Sequence, residues 1–332
     1  MISEGNKQGV FRHIVQILFV AIVLYIGVMF IIFVGQVENG TLSEVSRPAG
    51  VEAFLPISAL VGLKAWIATG SFDPIHPAGL VIFLAAITVS VLFKRTFCSW
   101  ICPIGMVSEG LAKLGKRMFR RNFRIPNWLD YLLRSVKYII LAFFVWAIFF
   151  GMSGVDAAAF LQSPYNMMSD VKMLKFMLHL SGVGMTVIGM IVALSIFYEN
   201  FWCRYFCPYG GLLGLVSILS PYKIERNQKT CIQCGKCSES CPNHILVEQA
   251  SRVWSPECTG CLDCVHQCPV NETLMFKAPM GLPSLSLKTL ALSLVGIWVL
   301  LIIIAKLTGH WETDITMEMY RRILPLVEQI GH

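Results

Sequence analysis

Two runs of cysteine decide the interpretation of this sequence: CIQCGKCSESCP at residues 231–242 and CTGCLDCVHQCP at residues 258–269. Each run follows the pattern C-x2-C-x2-C-x3-C-P. Soft thiolates at this spacing are typical of [4Fe-4S] ligation, in which three closely spaced cysteines hold one cluster and the fourth reaches over to its neighbour. The pattern therefore predicts two iron–sulfur clusters.

The spacing also predicts which thiols share a cluster. One cluster is expected on Cys231, Cys234, Cys237 and Cys268, and the other on Cys258, Cys261, Cys264 and Cys241. Gly235 and Gly260 leave room where the backbone approaches inorganic sulfide. The alternatives are a pair of zinc knuckles or a disulfide scaffold, but a zinc site is typically built from two C-x2-C pairs rather than from a duplicated four-cysteine run followed by proline.

The composition indicates a membrane protein. The chain of 332 residues is 55% hydrophobic and only 14% charged, and its mean hydropathy is +0.65. All 12 cysteines fall in four short motifs, which leaves none for structural disulfides and favours the reducing side of a membrane. The formal charge of +7 omits the negative charge of thiolate-bound clusters, so it does not indicate a nucleic-acid partner.

Hydropathy predicts about five transmembrane helices. The expected spans are residues 14–34, 77–93, 132–152, 178–197 and 289–305. The apolar segment 54–68 is short, and it is expected to be re-entrant or interfacial. If it crossed, the basic residues of 94–124 would lie outside, against the positive-inside rule. The positive-inside rule is satisfied if the N-terminus and the cysteine-rich module lie in the cytoplasm. We therefore expect a multi-pass protein of the inner (cytoplasmic) membrane.

The expected fold is an all-α polytopic membrane bundle with an inserted α+β module of the 2[4Fe-4S] bacterial ferredoxin type. Residues 1–220 are predicted to form a membrane domain of two hairpin repeats, with an outer loop over 153–177. Residues 221–280 are predicted to form the ferredoxin domain, and 281–332 a fifth transmembrane helix with an amphipathic outer tail.

Each predicted hairpin repeat ends in a C-x3-C-P motif. The four thiols are Cys98 and Cys102 in the first motif, and Cys203 and Cys207 in the second. Residues at i and i+4 share a helical face, so each motif is expected to offer two sulfurs in one direction. We expect the four to converge on a third metal centre, most simply an iron–sulfur cluster. Two redox disulfides, a transient copper site or four packing cysteines are the alternatives.

Two further groups of residues are candidates for a role in electron transfer. Asp73 and His76 precede the second span and could accept protons from a quinol, although a helix-capping Asp73 and an interfacial His76 would look the same in sequence. Basic residues near the cysteine motifs either raise cluster potentials or form a solvated rim. They are Arg204, Lys223, Arg226 and Lys236.

The paired motifs Phe97-Cys-x3-Cys-Pro and Trp202-Cys-x3-Cys-Pro-Tyr-Gly, followed by a tandem ferredoxin module, resemble the membrane polyferredoxins of the NapH/MauN type and the membrane part of NosR-like proteins. The resemblance covers roughly residues 10–305. It implies electron exchange between the quinone pool and a redox partner through cytoplasmic clusters and the C-x3-C-P cysteines.

These observations favour an electron relay, with the cofactors carrying the redox chemistry. Because no nicotinamide-binding loop is recognisable, a partner protein or subunit is expected at one end. A redox-assembly factor that reduces copper or a disulfide in another enzyme is the competing class. A redox sensor without turnover is a third.

Overall fold

The computed structural model of the protein describes residues 4–40, 45–120, 123–279 and 282–327, and helices make up most of it. In chain order the α-helices are α1 (Glu4–Glu38), α2 (Pro56–Thr69), α3 (Pro77–Phe93), α4 (Thr96–Trp100), α5 (Pro103–Phe119), α6 (Asn127–Phe149), α7 (Gly154–Leu161), α8 (Pro164–Met167), α9 (Ser169–Leu178), α10 (Gly182–Phe197), α11 (Phe201–Tyr205), α12 (Pro208–Val216), α13 (Lys236–Glu239), α14 (Asp263–His266), α15 (Leu287–Leu307) and α16 (Met317–Ile323). Short 3-10 helices cover Ala49–Phe54, Ser217–Leu219, Val247–Gln249 and Leu324–Leu326, and the strands are β1 (Lys223–Arg226) and β2 (Leu274–Lys277).

Among the residues that the structure describes, three helices are long and apolar enough to cross a membrane: the Val10–Glu38 part of α1, all of α6 and all of α15. Helices α9 and α10 pass the same test together, with an 80° bend between them, which makes four if the pair is one span. The predicted second span coincides with α3, whose 17 residues lie at the lower end of the length range for a bilayer crossing. The mostly helical fold is confirmed in this coarser form.

The segment 153–177, predicted as the outer connection between two spans, is mostly helical, and its position relative to the membrane remains a prediction. Helices α7, α8 and most of α9 lie there. Ser153 and Asp156 form a reciprocal capping box at the start of α7. Ser163 caps α8, where Pro164 takes the first helical position. These capping signals start helices within a segment of mixed composition.

The chain divides into two compact units. Unit 1 comprises residues 1–20, 86–141 and 188–298, and unit 2 comprises 21–85, 142–187 and 299–332. The domain boundaries predicted from the sequence remain a prediction, and residues 280–281 and 328–332 of the predicted domains lie outside the described residues.

Unit 1 contains every cysteine of the chain. Its small sheet pairs β1 with β2 in antiparallel register, with Ile224 opposite Phe276. Both side chains enter a hydrophobic core that also includes Trp100 and Leu290. Several cysteines lie in this core or pack against it, including Cys98, Cys102, Cys237, Cys258 and Cys264.

Unit 2 contains a second hydrophobic core. It also contains a buried ionic cluster, formed by Arg47, Glu52, Asp170 and His76. The core joins Phe30 and Phe33 of α1 to Val171 of α9 and to Tyr320 of α16. Helix α16 therefore packs on the unit rather than extending into solvent. In α2, the Lys64 ammonium donates to the carbonyl oxygen of Phe149 at 3.2 Å.

Candidate metal centres

The cysteines of the two runs line two separate cavities. One cavity is bordered by Cys241, Cys258, Cys261 and Cys264. The other is bordered by Cys231, Cys234, Cys237 and Cys268. Each cavity thus collects three thiols from one run and one from the other run. This is the crossed grouping that the spacing predicts, and the ligand assignment itself remains a prediction.

The two runs repeat one backbone conformation. Left-handed φ angles occur at Gln233 and Gly235 in the first run, at +54° and +74°. The equivalent residues of the second run are Gly260 and Leu262, at +59° and +65°. A leucine in this region is uncommon and costs conformational energy. Leu262 adopts the same left-handed conformation as Gly235, its equivalent in the first run. This indicates that the arrangement of the thiols requires the turn.

The donor set fits an iron–sulfur cluster. In the part of the chain that the structure describes, no three His, Cys, Asp or Glu side chains converge closely enough to hold a single metal ion. The thiols instead surround a space, which suits a cofactor that has its own sulfide core. Burial raises the pKa of Cys261 and of Cys264 well above the usual thiol value. Thiols in such surroundings become thiolates when a cationic metal binds.

The two cavities differ in exposure. Cys258, Cys261 and Cys264 are all buried, whereas Cys234 is exposed. Beside it, Ile232 keeps 63% of its surface open to solvent. We call the cavity bordered by Cys231, Cys234 and Cys237 the first-run cavity, and the one bordered by Cys258, Cys261 and Cys264 the second-run cavity. The first-run cavity therefore lies nearer the surface of unit 1.

The C-x3-C-P motifs have matching structures in both repeats. Cys98 lies within α4 and Cys203 within α11, while Cys102 and Cys207 are the N-cap residues of α5 and α12. The proline after each second cysteine takes the first turn of the new helix, where its missing N–H costs nothing. At Cys207 the sulfur accepts a hydrogen bond from the Gly210 N–H at 3.3 Å.

Gly105 allows the two cysteines of the first motif to approach each other. A Cβ atom on Gly105 would lie 2.0 Å from the carbonyl oxygen of Cys98. Every larger residue would push α5 away from α4. Close packing of α5 against α4 therefore requires a glycine at position 105.

The four C-x3-C-P thiols lie within electrostatic range of one another. Cys203 interacts with the other three, and all four side chains are half-buried. Burial raises the pKa of Cys98 to about 12; Arg95 opposes this shift, and the neighbouring thiols Cys102 and Cys207 add to it. The structure thus brings together the four thiols that the internal repeat singled out, and metal binding by them remains a prediction.

Hydrogen bonds connect the first C-x3-C-P motif to the cysteine loop 258–261. The Ser99 hydroxyl donates to the carbonyl oxygen of Thr259 at 2.7 Å. The Trp100 indole N–H donates to the carbonyl oxygen of Gly260 at 3.2 Å. Both donors lie between the two cysteines of the motif, and both acceptors lie between Cys258 and Cys261. The four-thiol group and the second-run cavity are therefore held together through a short stretch of backbone.

A buried ionic group lies beside these thiols, and we call it the Glu257 triad: Glu257, Arg95 and Lys137. The Lys137 ammonium is 2.7 Å from each Glu257 carboxylate oxygen. The Arg95 guanidinium is 3.6 Å from that carboxylate and donates to the carbonyl oxygen of Gly210 at 3.1 Å. Burial alone would raise the pKa of Glu257, but Arg95 and Lys137 outweigh it and lower this pKa to about 2.

Sequence reasoning missed the Glu257 triad. The available signal was Lys137, an ionisable residue within the apolar helix α6. Such residues mark functional or paired positions in membrane proteins.

Of the basic residues expected near the motifs, two are buried. The Arg204 guanidinium forms two hydrogen bonds of 2.9 Å with the Asp130 carboxylate. The Lys223 ammonium lies 3.9 Å from the centre of the Trp254 ring. A solvated rim is therefore the wrong description for Arg204 and Lys223, whereas Lys236 is exposed.

Asp73 and His76 lie in unit 2, inside its ionic cluster, and they are only 2% and 1% exposed. Asp73 accepts hydrogen bonds from the backbone N–H groups of Ile75 and His76, as expected for a helix-capping role. The His76 Nε2 atom is 2.7 Å from the carbonyl oxygen of Asn166, so it carries a proton. Both side chains are therefore buried within unit 2, and a role for them in proton exchange with a quinol remains a prediction.

Carboxylates surround the other side of His76. Its Nδ1 atom is 3.5 Å from Glu52, which also pairs with Arg47 at 2.6 Å. Arg47 in turn contacts Asp170 at 2.7 Å. Burial opposes the charged imidazole, but Glu52 and Asp170 outweigh it and raise the pKa of His76.

Comparison with known proteins agrees with this chemistry. A family model described as a 4Fe-4S binding domain matches residues 75–126 and 180–227. These ranges hold the two C-x3-C-P motifs. A model described as a 4Fe-4S dicluster domain matches residues 223–269. The matched domains and the thiol-lined cavities define an iron–sulfur protein.

Curated relatives cover most of the chain. A protein of Escherichia coli named "Putative electron transport protein YccM" is 39% identical over 99% of this chain and 94% of its own length. The ferredoxin-type protein NapH of Escherichia coli is 28% identical over 58% of this chain and 67% of its own. The methylamine utilization ferredoxin-type protein MauN of Methylorubrum extorquens is 29% identical over 59% of this chain and 67% of its own.

The chain belongs to the NapH/MauN-type membrane polyferredoxin family, and the resemblance drawn from its motifs is confirmed. No solved structure matches it.

Proposed function

We propose that this protein is a membrane-bound electron-transfer protein that relays electrons between the quinone pool and a redox partner through iron–sulfur clusters. The observation that carries the proposal is the crossed lining of two cavities by two sets of four cysteines. Bound there, [4Fe-4S] clusters would accept and donate single electrons. The name of the YccM relative, which covers nearly the whole chain, supports the same role.

Three centres in a row account for the arrangement of the twelve thiols. Cys98, Cys102, Cys203 and Cys207 would hold the third centre, and Ser99 and Trp100 would fix it against the loop of the second-run cavity. The first-run cavity, with its exposed Cys234, would then exchange electrons with the partner protein. The protein's own task in this scheme is to fix distances and to tune potentials.

The topology proposed from the sequence has five spans, with the N-terminus and the ferredoxin module in the cytoplasm. Helices α1, α3, α6, α10 and α15 are the candidate spans. Most of the Lys and Arg residues fall in 94–137 and 199–288, which this topology places inside.

Asp73 and His76 remain the candidate residues for proton exchange with a quinol. An imidazole held protonated by carboxylates can release a proton when their charge changes. Because both side chains are enclosed, a quinone would reach them only after a neighbouring segment moves. Substitution of His76 tests this part of the proposal.

Iron analysis and quinol-dependent reduction of anaerobically purified protein test the proposal. We expect iron for three clusters and loss of one cluster's iron in a Cys98→Ser/Cys203→Ser variant. Reduction of the clusters by added quinol is expected in membrane vesicles that contain the wild-type protein. Iron-free protein would refute the proposal. Copper binding with Cu(II) reduction that depends on Cys98 and Cys207 would instead support an assembly factor.

A further inference from the structure

We propose that Arg95 and Lys137, held in place by Glu257, are the charge-compensating residues of the four-thiol centre and set its reduction potential. This inference rests on the proposed function, since it assumes that Cys98, Cys102, Cys203 and Cys207 hold a metal centre. It adds a role for three residues that no sequence motif contains.

The first step is the position of the cations. Arg95 lies within electrostatic range of Cys98 and Cys203. Lys137 acts on Cys98 and Cys207. Each motif therefore has at least one thiol within electrostatic range of each cation.

The second step is burial. Arg95 and Lys137 are 2% and 0% exposed, and Glu257 is 4% exposed. A buried charge is costly unless it is paired, because the low-dielectric interior replaces its hydration poorly. The Glu257 carboxylate satisfies Lys137 with two contacts of 2.7 Å, but it lies 3.6 Å from Arg95. Within the described part of the chain, the Nε atom of Arg95 has no hydrogen-bond partner.

The third step is the charge count. Two cations and one carboxylate leave one net positive charge on the triad. Four protonated thiols would leave that charge without a counterion, which is unfavourable in a buried site. Four thiolates around an iron–sulfur core are net negative and would compensate it. The triad thus matches a thiolate-ligated metal centre better than a pair of neutral dithiols.

The triad is also connected to the second C-x3-C-P motif and to the second-run cavity. Arg95 donates to the carbonyl oxygen of Gly210, three residues after Cys207. Glu257 immediately precedes Cys258 of the second-run cavity. The Tyr138 hydroxyl donates to Glu257 at 2.9 Å and fixes the carboxylate from the side of α6.

The test is a redox titration of whole protein, purified anaerobically and followed by EPR and visible absorption. The signal to follow is the one that disappears in Cys98→Ser. Local positive charge raises a cluster potential and its removal lowers it. Lys137→Met should therefore lower the midpoint potential of this centre, and Glu257→Gln should raise it. The double variant restores the net charge of the triad, so its midpoint should return towards the wild-type value.

Two further variants serve as controls. Lys116→Met removes an exposed lysine of α5 and should leave the midpoint unchanged. Tyr138→Phe removes a hydrogen bond but no charge, and it should shift the midpoint less than either triad variant. Because glutamine keeps the size of the Glu257 side chain, Glu257→Gln alone decides the question if Lys137→Met loses iron.

The outcomes separate this inference from the proposed function. Equal iron content in wild type and Cys98→Ser would remove the third centre and the inference with it. A third centre whose midpoint does not move, or moves in the same direction in both single variants, would overturn only the role of the triad. Opposite shifts that cancel in the double variant would establish it.

Discussion

Three glycines of α5 provide an internal test of the packing around the four-thiol group. A Cβ atom on Gly105 would lie 2.0 Å from the carbonyl oxygen of Cys98. On Gly115 it would lie 1.8 Å from the carbonyl oxygen of Ile196. On Gly110 it would have no neighbour within 4 Å. The same substitution to alanine therefore meets three different surroundings in one helix.

The magnitude follows from two opposing effects. Alanine in place of glycine stabilises a helix interior by about 0.5–1 kcal/mol. Overpacking against atoms that cannot rotate away costs about 1–3 kcal/mol. All three variants gain the first effect, but only Gly105→Ala and Gly115→Ala incur the second. We expect both to be about 1–3 kcal/mol less stable than Gly110→Ala.

The assay is thermal unfolding in detergent at one heating rate, together with iron analysis. Gly105→Ala should also lose iron, because the clash displaces the backbone of Cys98. Gly115→Ala should be destabilised without the loss of that specific centre. The reasoning would be refuted if Gly105→Ala had the same stability and iron content as Gly110→Ala.

Three other predictions concern separate parts of the protein. Carboxylates raise the folded-state pKa of His76. The contribution of His76 to stability is therefore complete below its unfolded pKa of about 6.5 and is lost as pH rises through the folded pKa. Unfolding midpoints measured from pH 5 to 9 should show this loss in wild type but not in Glu52→Gln. Ferricyanide should remove iron first from the cavity that contains the exposed Cys234, and stepwise iron loss that begins at the buried cavity would contradict this. Trp100→Phe leaves the Gly260 carbonyl without its donor, which should cost about 1–3 kcal/mol of stability; a thermal midpoint equal to that of wild type would argue against a contribution from this bond.

The grouping of the eight ferredoxin-type cysteines could be predicted because it depends on local spacing. A C-x2-C-x2-C run brings three thiols to one side of a tight turn, and the following x3-C-P carries the fourth away. The cavity linings agree with that grouping. The left-handed backbone at Leu262 could not be predicted, since leucine rarely adopts it.

Hydropathy located the long helices but not the short ones. Apolar composition predicted the helices that became α1, α6 and α15. It gave no signal for α7 and α8, which start at capping serines in a mixed segment. The S-x-x-D pattern at Ser153 was the available cue, and helix capping is a local effect that hydropathy does not measure.

The Glu257 triad shows what only tertiary structure can supply. Its members come from three separate segments, and nothing in the spacing relates Arg95 to Lys137 or Glu257. Buried charges depend on partners for stability, so their meaning is fixed by the fold and not by the local sequence. Lys137 in an apolar helix indicates only that a partner must exist.

The C-x3-C-P proline explains why the two cysteines of a motif need different support. The spacing alone suggests one continuous helical face, but Pro103 starts a new helix and makes Cys102 its N-cap. Backbone N–H groups at a helix N-terminus stabilise a thiolate. Cys98 lies inside the preceding short helix and lacks such a position, so under the proposed metal ligation Arg95 and Lys137 would compensate the negative charge of its thiolate. On this proposal the motif and the triad are two parts of one electrostatic arrangement.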